Sequence, residues 1–322
     1  MKKLSSVVFS LVLMSAVAFG FFHTRDILDW VALQGYNPPA EIDKLATDTT
    51  MLSGSRKVFY VNKPKIEDKQ NFSNSCPDHE QTIVLGCYIN NQGIYLLNVT
   101  DTRLNGVVQV TAAHELLHAE YDRLKPGERA KVDKMTADFF ATLTDERIKS
   151  NIENYRKNDP SVVPNELHSI LGTEVRNLSP ELENYYKKYF SNRATIVGFS
   201  EKYESTFTDI ENQVKELDVQ LKQMKTELDA KDAELKKLGN DIESQRNYMN
   251  GLLSSKKIDQ YNSQVETFNA LVNKYNSLVK SRQAQANQYN KMVDQYNNLA
   301  TTESNLIQSL QADNVKPVEG AQ

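Results

Sequence analysis

The placement of proline constrains this chain more than any other feature. Of the nine prolines in 322 residues, eight precede position 181 and the ninth is Pro317. Residues 181–316 therefore lack the one side chain that removes an amide donor and clashes with the preceding helical turn. Only Gly198, Gly239 and Gly251 weaken a helix there. That stretch can run as uninterrupted helix, whereas residues 24–180 cannot, so a single globular domain is excluded.

Beyond residue 200 the apolar residues fall into heptads. Phe207, Val214, Leu221, Leu228, Leu235, Ile242 and Met249 recur every seven positions, and Ile210, Leu217, Met224, Leu238 and Leu252 fill companion positions three residues later. This is a coiled-coil seam. After a polar break at 251–257 a second seam begins, with Tyr261, Phe268, Tyr275, Tyr289 and Tyr296 as its aromatic series. Val265, Val272, Val279, Ala286, Val293 and Ala300 follow four residues behind, and Arg282 interrupts the aromatics once. Two such seams fold back most simply as an antiparallel hairpin over residues 200–312. The rival is a parallel homodimer, or pairing with another envelope protein, through the same seams. Residues 313–322 read as a disordered tail.

A hydrophobic content of 39% suits a compact unit that carries a solvated helical extension. A net charge of −4 supplies no basic field, which argues against nucleic acid as a partner. At the N-terminus, Lys2 and Lys3 precede the uncharged run 4–22. Its length suits a membrane-spanning helix of about 20 residues, with the following chain extracytoplasmic by the positive-inside rule. Ala16-Val17-Ala18 keeps open a cleaved signal peptide and a secreted product. Outside the cytoplasm, Cys76 and Cys87 read as a disulfide rather than as a metal site, because CxxC spacing is missing.

Residues 25–52 read as a juxtamembrane linker with a Pro38-Pro39 spacer. Strands are expected at 57–61, 82–89 and 93–99, the last two joined as a hairpin through Asn90-Asn91-Gln92-Gly93. Asn105-Gly106 then introduces a helix of about five turns ended by Pro126-Gly127. Helical patterns follow over 128–157 and 165–190, so an α+β unit spans 53–195.

The helix after Gly106 contains His114-Glu115-Leu116-Leu117-His118. Residues four apart lie on one helical face, so both imidazoles can reach one Zn²⁺ at about 2.0 Å. Glu115 projects beside that face, where it can act as general base toward water. These residues resemble the zincin metallopeptidases, over roughly residues 80–190. The resemblance implies a zinc-dependent peptidase acting on protein or peptide, with an edge strand, expected at 93–99, that pairs with extended substrate. A metzincin is excluded, because Tyr121 and Leu124 stand where that group carries Gly and His.

Gluzincins take a third ligand from a Glu on a later helix, and Asn165-Glu166 matches their Asn-Glu form. His168 and Glu174 remain rival ligands. Ile170 stands where gluzincins carry an Asp that orients a metal histidine, which leaves Asp122 as a candidate for that role. Tyr121, Tyr155, Tyr185 and Tyr186 are all available to stabilise an oxyanion, while His23 and His79 read as incidental. A membrane-anchored zinc endopeptidase is the principal expectation. An envelope scaffold with an inert zincin-like domain is the alternative, since about 110 residues of heptads carry no chemistry.

Overall fold

The computed structural model describes residues 24–76 and 83–311. They fall into two bodies, the described residues of 24–206 together with 306–311, and Phe207–Asn305.

In the first body, helices α1 (Thr24–Ala32), α2 (Ala40–Asp48) and α3 (Ser53–Val61) precede strand β1 (Lys65–Glu67) and helix α4 (Lys69–Ser75). Strands β2 (Gly86–Ile89) and β3 (Gly93–Leu97) form the expected hairpin. Asn91, with φ of 63°, and Gly93, with φ of 150°, supply the left-handed conformations its turn needs. The sheet order is β1-β3-β2, with β1 parallel and β2 antiparallel to β3. Next come α5 (Val107–Tyr121), α6 (Pro126–Phe140), α7 (Glu146–Asn158), α8 (Val163–Thr173) and α9 (Pro180–Tyr186).

The fold class needs correction. The chain is overwhelmingly helical, and its sheet is a minor element of three short strands rather than one half of an α+β domain. The run 57–61 lies within α3, not in a strand. Ser55, Val58 and Phe59 are buried together, the three- and four-residue spacing of a helix face, and a five-residue apolar run does not by itself distinguish the two states. The transmembrane helix is also corrected. Among the described residues no helix is long and apolar enough to cross a membrane. The run 4–22, which carried that expectation and the single-pass location drawn from it, lies outside the described residues, as do His23, His79 and the tail 313–322.

Residues 25–52 join the folded body rather than tethering it. Ile42, Leu45, Ala46 and Met51 enter the core with Phe59, Ile94, Leu96, Leu116, Leu117, Leu171 and Tyr186. The Asp29 carboxylate of α1 is buried, and both nitrogens of the Arg123 fork donate to it at 2.7 and 3.0 Å. Proline and acidic caps divide the later helices more finely than periodicity alone suggests. Pro126 occupies the first turn of α6, where its missing amide costs nothing. Asp145 accepts from the Ile148 amide to start α7.

Helices α10 (Arg193–Ser254) and α11 (Ile258–Leu310) supply the second body. They run antiparallel there: Gln245 meets Gln264, Lys274 meets Glu234, and Arg282 forks onto Asp232 at 2.9 and 3.0 Å. Arg282 therefore breaks the aromatic series in order to make an ion pair across the hairpin. The companion series of the second seam is met in part. Val272, Ala286 and Val293 are half-buried while Val265, Val279 and Ala300 are exposed, and Gln264, Leu271, Leu278 and Leu299, each three residues after an aromatic, are half-buried as well.

Candidate metal centre

Helix α5 opens at Gly106, whose φ of 112° is left-handed and whose Cβ position would lie 2.8 Å from the Phe199 carbonyl oxygen. Glycine alone satisfies both conditions. The helix then presents His114 and His118 to a cleft of about 1060 Å³, with ring centroids 4.7 Å apart. One potential ligand atom from each of His114, Glu115 and His118 lies within 4.8 Å of the other two.

Helix α8 brings Glu166 to the same place. Its Oε2 lies 3.5 Å from His114 Nε2 and its Oε1 3.5 Å from His118 Nε2. The carboxylate is buried, and Oε2 has no hydrogen-bond partner. Burial pushes the carboxyl upward, but the adjacent His118 and His114 imidazoles outweigh it and hold Glu166 below the usual carboxylate range. A buried carboxylate whose two oxygens each stand 3.5 Å from the Nε2 of a different imidazole is the arrangement a shared cation would satisfy.

The approach of α8 to α5 is very close. A Cβ on Gly172 would fall 2.4 Å from Leu117 Cδ1 and 2.7 Å from Tyr186 Cε1. The C-terminal end of α8 is held by the buried Arg193 guanidinium, which donates to the carbonyls of Val175 at 2.6 Å and Arg176 at 2.8 Å and pairs with Glu183. The same guanidinium also reaches the Leu171 carbonyl of the last helical turn at 3.4 Å, where a cation complements the helix dipole.

The rival ligands have other partners. His168 points to the far side of α8, fully buried, where its Nε2 is 2.9 Å from the Tyr185 hydroxyl and its ring packs on Tyr121, Tyr186 and Tyr189. Burial, with the other two histidines adding to it, pushes its pKa down to about 3, so it is neutral. Glu174 accepts from Arg147 at 2.8 Å, and the other nitrogen of Arg147 pairs with Glu204 at 2.8 Å.

The Asp122 carboxylate stands 3.9 Å from Arg129, and the bond Asp122 makes to His118 is the backbone one of the helix end, its N–H donating to the His118 carbonyl at 3.1 Å. The group at His118 is Ser169, whose Oγ is 3.3 Å from Nδ1 and leaves Nε2 directed at Glu166. Ser169 was missed in the sequence, although it stands three residues after Glu166 and hence on the same face of α8.

Of the four tyrosines, Tyr121 and Tyr155 line the cleft. The Tyr121 hydroxyl is given to Asp133 at 2.7 Å. Tyr185 and Tyr186 instead bond to the His168 side chain and carbonyl. Tyr155 lies with Arg147 and Asn151 on one stripe of α7, four residues apart, and all three line the cleft.

The strand facing the centre is β2, not β3. β3 is central in the sheet, and residues 83–90, which contain β2, form a wall of the cleft. Cys87 of this strand is disulfide-bonded to Cys76 at the end of α4. No protein-family model, curated protein or solved structure matches this chain.

Proposed function

We propose that this chain is a zinc-dependent peptidase in which His114, His118 and Glu166 hold the metal and Glu115 is the general base. The observation that carries the reading is the buried Glu166 carboxylate, 3.5 Å from Nε2 of both histidines and with Oε2 unpartnered. Two imidazoles and one carboxylate suit zinc, and three protein ligands leave the open position of a catalytic rather than a structural site. Bound zinc supplies Lewis acidity that polarises a carbonyl and acidifies water.

The chain's own residues account for the remaining steps. Ser169 fixes the His118 ring so that Nε2 faces the metal position. An extended peptide adds to the outer edge of β2, whose other edge is already paired with β3. Glu115 lies against β2 and is 5% exposed. From there it takes the proton of the attacking water and passes it to the departing amine. Tyr155 of α7 lines the same cleft, and we assign to it the donor to the developing oxyanion.

The test is metal content and hydrolysis of an unstructured protein by the purified chain, with Glu115→Gln as the comparison. Glu115→Gln is expected to keep zinc and lose activity by about 10²-fold or more, the scale of a general base. Full activity in that variant, or no zinc in the wild type, overturns the reading.

A further inference from the structure

Gly86, the first residue of β2, packs directly against Glu115 of α5. A Cβ there would lie 2.9 Å from Glu115 Oε1, 3.0 Å from Glu115 Cγ and 2.5 Å from Thr111 Cγ2. Its φ is not left-handed, so alanine could adopt the same backbone. The glycine serves close approach, not conformation.

Neither the strand nor Thr111 can withdraw easily. Gly86 pairs with Leu96 of β3, the carbonyl of Leu85 accepts from the Leu97 amide at 2.8 Å, and the next residue is the disulfide-bonded Cys87. On the helix, Thr111 is buried and its Oγ1 donates to the Val107 carbonyl at 2.9 Å, which restrains the methyl group that faces Gly86. Thr111 and Glu115 are four residues apart and so form one face of α5. The wall that would receive a peptide and the carboxylate that would serve it are therefore set against each other at the one position of β2 that has no side chain.

We propose that Gly86 is a positioning residue for Glu115: the bare backbone of β2 seats the carboxylate and sets the separation between the base and a peptide on the outer edge of the strand. The kinetic part of this inference rests on the peptidase reading; the contact itself does not.

The experiment uses the full chain carrying Gly86→Ala, Gly86→Ala with Thr111→Ser, and Gly86→Ala in a Glu115→Ala background. Thr111→Ser removes the crowding methyl and keeps the hydroxyl. Gly86→Ala is expected to retain zinc and to lower kcat by about 10- to 100-fold, the scale of a misplacement of about 1 Å, with KM changed far less. Thr111→Ser is expected to recover the thermal midpoint but not kcat. In the Glu115→Ala background, Gly86→Ala is expected to depress the midpoint less than it does in the wild type, the signature of direct coupling.

Wild-type kcat in Gly86→Ala or in the Thr111→Ser double variant overturns the inference, as does an equal midpoint loss in both Glu115 backgrounds. If Gly86→Ala folds only when Glu115 is removed, the coupling stands. If it folds in no background, Gly86 is structural and the inference fails. An inactive wild type that still shows the coupling sinks the peptidase reading and leaves the contact intact.

Discussion

The body that carries the candidate metal centre and the helical hairpin are both built mainly of α-helix, yet they are held together differently. In the first, Leu116, Leu117, Leu171 and Tyr186 are fully buried, and charged or polar side chains such as Glu166, His168 and Arg193 are buried with them. In the hairpin, the buried positions among the described residues are a few seam residues, Ile210, Leu238, Met249 and Leu252. Its charges lie outside the seam, in four-residue pairs such as Lys215 with Glu211 and Lys222 with Asp218. Buried polar groups are costly unless paired, so the first body can hold Glu166 against two histidines only because a specific arrangement surrounds it. The hairpin is a periodic structure whose individual polar contacts remain wet and replaceable.

The largest expected difference lies in metal binding. Glu166→Ala should weaken zinc binding more than Ser169→Ala, because the first removes a ligand and the second only its support, worth about 10- to 100-fold. Titration with a chromogenic chelator measures both. Equal affinities in Glu166→Ala and wild type would remove the contrast at its centre. Next in size is packing. Leu117→Ala, at a site with no exposure, should cost about 2–5 kcal/mol by denaturant unfolding. Val219→Ala on the hairpin, at 65% exposed, should cost within about 0.5 kcal/mol. Similar losses at the two sites would show that the hairpin is as tightly packed as the first body. The smallest effect is expected at Arg282→Ala, whose pairing with Asp232 is solvent-exposed on both sides. Its thermal midpoint should move by no more than about a degree or two. A larger fall would mean that this cross-hairpin pair sets the register.

How much was legible in the sequence follows the range of the interactions. The HExxH pair needed only helical spacing, and the long helices needed only heptads and the absence of proline. The run 57–61 went wrong because five apolar residues fit either periodicity, and burial of Ser55 with Val58 and Phe59 decides for helix. The edge strand is expected at 93–99, yet β3 is central and β2 lies at the edge, because chain order does not say which strand of a three-stranded sheet is outermost. Asp122 was expected to orient His118 because it lies one turn away on α5. The side chain at His118 Nδ1 is Ser169, 51 residues further along the chain.

Local repetition therefore determined what this sequence could state by itself: two imidazoles on one helical face with a carboxylate beside them, and a pair of long amphipathic helices. The tertiary structure decided which of Glu166, His168 and Glu174 joins those imidazoles, because each has a distinct set of partners that only packing brings within reach. It also decided that a strand without a side chain at Gly86 rests on Glu115. Periodicity is written in neighbouring residues, whereas close approach between α5, α8 and β2 depends on the volumes of groups that meet only after the chain has folded.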